Sequence, residues 1–266
     1  AADDAMAAVL AVRGHTPSKG PRHIGDAARD AYDDMVRVAR GDTSAAFRTG
    51  IRALDAVLDP LESGELVVIG ARPSTGKTSL AMAVVLAISA EVARRVQSSK
   101  GSVLFFSLET TDRKLARRAI ASLAGVGLSI VSGREVAGID AVRRVQAGVD
   151  RLHRLPIWID VRVGLPVSEM RATCRAHKRD HGLSLIVVDY LQLLKGTAKR
   201  ESKRVDEVAE VSRELKALAK EFDCPVIALA QLNRDVESRA DKRPTLADLR
   251  EAGQIEQVAD KVVLLH

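Results

Sequence analysis

Aromatic residues are scarce in this sequence: four Phe, two Tyr and one Trp make up 3% of 266 residues. A nucleic-acid partner would find few rings on which to stack its bases and would have to be held through its phosphates. Cysteine is rarer still. Cys174 and Cys224 lie far apart with no further ligand at metal spacing, which excludes a disulfide framework and a zinc motif and leaves reduced, intracellular thiols as the expectation. No stretch of about 18 apolar residues runs free of charge. The opening Ala1-Ala2-Asp3-Asp4 carries acid where a secretory signal carries base, so neither a membrane span nor a signal peptide is expected, and the location expected is cytoplasmic. A strong charge imbalance is missing too: 41 Lys and Arg face 35 Asp and Glu, a net +6 that suits a polyanionic partner and an ordinary enzyme alike.

Hydrophobic residues are plentiful, at 46%, enough for one large domain or two small ones. The chain opens without Met and closes on the apolar run Lys261-Val-Val-Leu-Leu-His266 with no turn after it, so a fragment is expected. Residues 1–13 read as a helical remnant of an upstream domain, and Gly14 to Gly25 have the proline- and glycine-containing composition of a linker. Asp26 can cap a helix in which Ala28, Tyr32, Met35, Val36 and Ala39 share one face and Gly41 is the stop; residues 14–48 thus form a linker and linker helix. That apolar face packs either on the following domain or on a neighbouring subunit.

From Glu65 onward, Val- and Ile-rich runs alternate with helical patterns: Leu66–Ile69, Val103–Phe106, Ile157–Val161, Leu185–Val188, Val226–Ala230 and Val262–Leu265. The helices are predicted near 77–97, 111–124, 140–153, 167–181, 205–222 and 253–260. Continuous apolar strands separated by helices imply a mostly parallel sheet covered on both faces, a doubly wound α/β fold.

The sharpest chemical signal is the stretch Leu66-Val-Val-Ile-Gly-Ala-Arg-Pro-Ser-Thr-Gly-Lys-Thr-Ser-Leu80, a strand, a tight turn and a helix start. It fits a P-loop, in which backbone N–H groups and the helix N-terminus face phosphates, Lys77 reaches the β- and γ-phosphates, and the Thr78 hydroxyl ligates Mg²⁺. Nucleotide-binding residues are therefore Ala71, Arg72, Pro73, Ser74, Thr75, Gly76, Lys77, Thr78 and Ser79. The usual first glycine is replaced by Ala71, with Gly70 one place earlier.

Asp189 ends the strand Leu185-Ile-Val-Val and is placed to hold Mg²⁺ at the carboxyl edge of the sheet, as a Walker B acid does. Glu109 ends another strand, where it either orients the attacking water or serves the start of the next helix. Gln231 ends a fourth, either as a γ-phosphate sensor or as an ordinary strand-end amide. Lys195 to Arg204 hold five basic residues and one acid without apolar periodicity. Lys199, Arg200, Lys203 and Arg204 are candidates for gripping a nucleic-acid backbone, though a protein partner fits the same loop. Arg234 to Arg243, with four basic and three acidic residues, read as a solvated surface.

Taken together, Ala71–Thr78, Phe106-Ser-Leu-Glu109, Val188-Asp-Tyr-Leu-Gln-Leu193, Ala230-Gln-Leu-Asn-Arg234 and above all Asp241-Lys-Arg-Pro-Thr-Leu-Ala-Asp-Leu-Arg-Glu-Ala-Gly-Gln-Ile-Glu-Gln257 resemble the ATPase domain of DnaB-type replicative helicases, from about Thr49 to His266. The resemblance implies a RecA-like P-loop motor domain, residues 49–266, that assembles as a hexameric ring, hydrolyses ATP between subunits and moves on single-stranded DNA. A primase or a helicase loader is a further partner of that family. Under it Glu109 is the catalytic base, with Lys77 and Gln231 also catalytic, Thr78 and Asp189 the metal ligands, and Arg250, Glu251 and Gly253 the channel loop on the DNA backbone. The family's Ser between that Glu and Gly is Ala252 here. The family also carries a basic finger beyond the strand at Val262, an element worth ~10³–10⁵ in rate in related phosphoryl-transfer systems and not contained in this sequence. Two other readings share the P-loop: a different RecA-superfamily ATPase, such as a recombinase or circadian-clock type, and a nucleotide-gated DNA-binding or loader protein without turnover.

Overall fold

The computed structural model describes residues 21, 23–40, 46–95, 101–194, 204–239, 241–249 and 252–266, and the chain divides into two units, Ala1–Ala45 and Ala46–His266. In the first, helix α1 spans Ile24–Ala39, two residues earlier at its start than the pattern predicted. Asp26 sits in its first turn, where the positive end of the helix dipole favours a carboxylate. Ile24, Tyr32 and Met35 on this helix stand exposed. The helical remnant expected over 1–13, the linker's first part and the Gly41 stop lie outside the described residues.

The second unit opens with a short antiparallel pair, β1 (Ala46–Phe47) and β2 (Leu61–Glu62), around the single-turn helix α2 (Arg52–Asp55). Then β3 (Leu66–Ala71), α3 (Lys77–Arg95), β4 (Val103–Ser107), α4 (Asp112–Ala124), α5 (Leu128–Val131), α6 (Ile139–His153) and β5 (Ile157–Asp160) follow. The chain continues through α7 (Val167–His181), β6 (Leu185–Asp189), α8 (Arg204–Phe222), β7 (Val226–Gln231), α9 (Ala252–Val258) and β8 (Lys261–Leu264). Each of the six long strands expected from the sequence is present. They form one sheet in the order β5-β4-β6-β7-β3-β8, with parallel pairing throughout.

Side chains alternate across a strand, so a run of apolar residues supplies both faces. Leu66, Val68, Leu104, Phe106, Ile186, Val188, Val226 and Ala228 enter one core with Met170, Leu215 and Ile255 from α7, α8 and α9. Their neighbours Val67, Ile69, Val103, Phe105, Leu185, Val187, Ile227 and Leu229 enter the other with Val84, Ile88 and Leu115 from α3 and α4. The four inner strands are therefore buried throughout apart from the half-buried Gln231, while β5 and β8 are mostly half-buried because among the described residues each has a strand neighbour on one side only. The sequence pattern treated all six alike; the edge positions come from strand order.

At the amino ends of β3 and β8, charges meet. Lys216 Nζ lies 2.6 Å from Asp260 Oδ2, which also accepts the Leu66 N–H at 2.6 Å. Lys261 Nζ lies 2.7 Å from Glu65 Oε2 and donates to the Pro60 carbonyl at 2.9 Å. Burial pulls the Asp260 carboxyl upward, but the hydrogen bonds from Lys216 and Leu66 and the charge of Lys216 hold it below the usual carboxylate range. On the edge strand β5, the Trp158 ring sits 4.9 Å from His177 and 4.6 Å from His181 of α7, and His177 Nε2 is 2.7 Å from the Ser102 hydroxyl.

Candidate active site

The loop between β3 and α3 is shaped by two left-handed residues, Ser74 at φ 68° and Gly76 at φ 97°. Side-chain-bearing residues adopt this region at a cost, so Gly76 is placed where the backbone needs it. Thr75 closes the turn by donating from its hydroxyl to the Arg72 carbonyl at 2.7 Å. Gly70 has a different reason to be glycine. A Cβ there would come within 2.8 Å of Leu249, 2.9 Å of Leu264 and 3.0 Å of Leu232, so a methyl group would require these leucine side chains to shift. Gly70 thus packs closely against leucines, and Ala71 is buried at the strand end.

A cleft of about 440 Å³ opens over this loop, within the ~300–1,000 Å³ usual for small-molecule sites. It is lined by Ala71, Arg72, Pro73, Ser74, Gly76, Lys77, Thr78 and Ser79, and by Glu109, Thr110, Arg118 and Gln231 from other elements. Thr75 is the one expected loop residue that does not line the cleft. The convergence follows from the parallel sheet: β3, β4, β6 and β7 all point their carboxyl ends at one rim.

Beneath the loop, Asp189 is fully buried at the end of β6. Its Oδ2 accepts from the Thr78 hydroxyl at 2.7 Å, while its Oδ1 has Lys77 Nζ at 3.8 Å and no hydrogen bond. A fully buried carboxylate oxygen without a hydrogen bond is costly. A hydroxyl and a carboxylate side by side, with one oxygen unsatisfied, are the hard oxygen donors that Mg²⁺ takes. Lys77 also lies 4.6 Å from the centre of the Tyr190 ring. Burial lowers its pKa, while the charges of Asp189 and Glu109 act the other way.

Glu109 rides on a clamped turn at the end of β4. The Ser107 hydroxyl donates to the Thr110 carbonyl at 2.5 Å and accepts the Thr110 N–H at 3.2 Å, and the Leu108 N–H reaches the Asp189 carbonyl at 2.7 Å. The helix behind it starts at Asp112, with Thr111 as its cap residue. Glu109 therefore stands outside the helix and in the cleft.

Residues 46–266 match the family described as DnaB-like helicase C terminal domain. The chain belongs to the DnaB-like helicase family. It is 36% identical over 265 residues to the replicative DNA helicase DnaB of Geobacillus stearothermophilus, covering 99% of this chain and 57% of that protein. It is 37% identical over 247 residues to the replicative DNA helicase DnaC of Bacillus subtilis (strain 168), covering 92% and 52%. The chain thus spans about half the length of the curated relatives it matches. Among solved structures, one described as an ATPase domain superposes with TM-score 0.78 at 30% identity, covering 92% of this chain and 84% of that one. A DnaB-like replicative helicase studied with its primase gives 0.76 at 28% identity, covering 98% and 61%. The fold of this DnaB-like chain is accordingly the RecA-like nucleotide-binding domain.

Two side chains at the DnaB-like site and one outside its cleft escaped sequence reasoning. Arg118 of α4 reaches over the cleft to donate to the Ser79 hydroxyl at 2.7 Å. Its signal was a basic residue three places after buried Leu115, on the face of α4 turned to the sheet. Gln192 holds the end of β7 through its amide, donating to the Gln231 carbonyl and accepting the Gln231 N–H, both at 3.3 Å. Glu237 binds Arg72, which itself lines the cleft: the Arg72 guanidinium has Nε and Nη2 each 2.8 Å from Glu237 Oε1 and Nη1 2.9 Å from the Leu232 carbonyl. Of the residues expected on DNA, Lys199, Arg200, Lys203, Arg250 and Glu251 lie outside the described residues; Arg204 begins α8, and Gly253 is exposed in the first turn of α9.

Proposed function

We propose that this domain is an ATP-driven helicase motor, which hydrolyses ATP at the interfaces of a hexameric ring and moves along single-stranded DNA to separate a duplex. The observation that carries the reading is the meeting of Lys77, Thr78, Glu109 and Gln231 in one cleft above the unsatisfied oxygen of Asp189. Lys77 reaches the β- and γ-phosphates, and the backbone N–H groups of the loop and the start of α3 face the anion. Thr78 and Asp189 would hold Mg²⁺, which when bound neutralises the charge on the phosphates. Glu109, clear of α4 and fixed by the Ser107 clamp, accepts a hydrogen bond from the attacking water and takes its proton as the bond to the γ-phosphorus forms and the bond from phosphorus to the β–γ bridging oxygen breaks, releasing ADP and phosphate. Arg118 leaves Ser79 for phosphate oxygens when nucleotide enters. Gln231, pinned by Gln192 at its backbone, has a side chain free to answer the γ-phosphate and is joined directly to the loop after β7.

Arg250, Glu251 and Gly253, with the basic segment Lys199 to Arg204, grip the DNA backbone without reading bases, in keeping with so few aromatics. Helix α1 docks on the adjacent subunit. Its sequence holds four Asp against two Arg, and α4 to α6 with their flanks (112–154) hold nine basic against four acidic residues around exposed Val136, Ile139 and Val142. The solved relative described with its primase supports a primase as a partner of the assembled protein, and the location that fits replication is the cytoplasm.

The test is the ATPase rate of the chain over a wide range of protein concentration, with and without single-stranded DNA. A rate that climbs steeply with concentration and rises with DNA is expected. Tight ATP binding without turnover under every condition would overturn the motor in favour of a nucleotide-gated binder.

A further inference from the structure

The segment from Leu232 to Leu249 joins the nucleotide cleft to the residues assigned to DNA, and it is bound at both ends. Leu232 and Leu249 form an antiparallel bridge, and the Leu232 N–H donates to the Ala71 carbonyl at 3.0 Å. The Asn233 N–H donates to the Asp248 carbonyl at 2.7 Å, and the Asp248 carboxylate accepts from Arg239 and from the N–H and hydroxyl of Thr245. Between these ends, the short 3₁₀ helix Arg234–Ser238 carries Glu237 back to the phosphate loop.

Arg72 is the receiving end. Its guanidinium uses Nε and Nη2 on Glu237 and Nη1 on Leu232, as described above, and is 14% exposed, whereas Glu237 is 62% exposed. An ion pair with one partner so open to water adds little to stability. Its value is geometric. The Arg72 carbonyl holds Thr75, so the position of the Arg72 backbone sets the turn that contains Ser74 and Gly76. A change in that turn on binding phosphate therefore pulls on Glu237 and on the segment that leads to Arg250, by a route separate from Gln231.

We propose that Glu237 is a positioning residue for the motor reaction: through Arg72 it couples the shape of the phosphate loop to the segment 232–249 and so to the grip on DNA. This rests on the motor reading above. Coupling between two ligands is reciprocal and can be measured from either side.

The experiment compares the wild-type chain with Glu237→Gln, titrating a non-hydrolysable ATP analogue with and without an oligothymidylate, and the oligothymidylate with and without the analogue. Unfolding midpoints are recorded for both proteins. The expected result is an unchanged midpoint, ATPase without DNA within about twofold of wild type, and a mutual enhancement that falls by roughly fivefold or more, measured equally from both sides. Glu237→Asp, which keeps the charge on a shorter arm, recovers part of it. Unchanged enhancement in Glu237→Gln would reduce the pair to a surface contact and overturn the proposal. A lower ATPase with the DNA enhancement intact would make it a brace for the loop and overturn it as well. Absence of any enhancement in the wild type is a different failure, since it strikes the motor reading itself and this coupling with it.

Discussion

The two rims of the sheet treat charge in opposite ways. At the amino ends of β3 and β8, Lys216 meets Asp260 and Lys261 meets Glu65, with backbone groups filling the remaining places. At the carboxyl ends, Lys77 stands 3.8 Å from Asp189, one oxygen of that fully buried carboxylate has no hydrogen bond, and two residues of the adjoining loop hold left-handed backbone. The first rim is satisfied within the chain and serves the fold. The second gathers a buried carboxylate oxygen without a hydrogen bond, a lysine and strained backbone, the features that mark functional sites more than structural ion-pair networks.

Removing chemistry from the carboxyl rim gives the largest effect. Glu109→Gln should lower ATP hydrolysis by ~10²–10⁴-fold while nucleotide still binds. Lys77→Ala should lose hydrolysis and weaken binding together. Steady-state rates and titration of a fluorescent ATP analogue check both. Equal binding loss in the two variants would remove the distinction between base and phosphate ligand.

The glycines give a second, smaller contrast. Gly76→Ala forces a side chain into left-handed backbone, at roughly 1–3 kcal/mol, and should weaken nucleotide binding. Gly70→Ala drives a methyl into three leucines, at ~1–3 kcal/mol, and should lower the urea midpoint while the folded protein binds nucleotide normally. Denaturation curves and binding isotherms on each variant separate the two reasons for glycine.

The smallest effect lies at the amino rim. Because the folded Asp260 carboxyl titrates below the ordinary 3.8, its contribution to stability is fully present above that pH and is lost as the pH falls through the folded value. The gap in urea midpoint between wild type and Asp260→Asn should therefore be constant from pH 7 to pH 5 and shrink below about pH 3.8. A gap that widens on acidification would reverse the assignment.

The strands and main helices were legible because burial on both faces leaves nearly unbroken apolar runs, as in Leu185 to Val188, and helical periodicity marks the rest. Strand order was not, since nothing in Ile157 to Val161 announces that it lies at an edge. The phosphate loop and Asp189 could be read because their chemistry is local in sequence. Arg118, Gln192 and Glu237 could not, because each acts on a residue brought to it only by the fold: Ser79 by the packing of α4 beside α3, Gln231 by the pairing of β6 with β7, Arg72 by the return of the segment after β7. Gly70 shows another fold-dependent feature, a residue beside a motif that packs against leucines far along the chain.

The one tryptophan, Trp158, lies on the outermost strand at the β5 edge and does not line the nucleotide cleft. Its indole meets the His177 imidazole edge-on and the His181 imidazole at a tilt, ring contacts that set its fluorescence. The indole is therefore an optical probe specific to one margin of the sheet, through which loosening of that margin can be watched apart from events in the cleft.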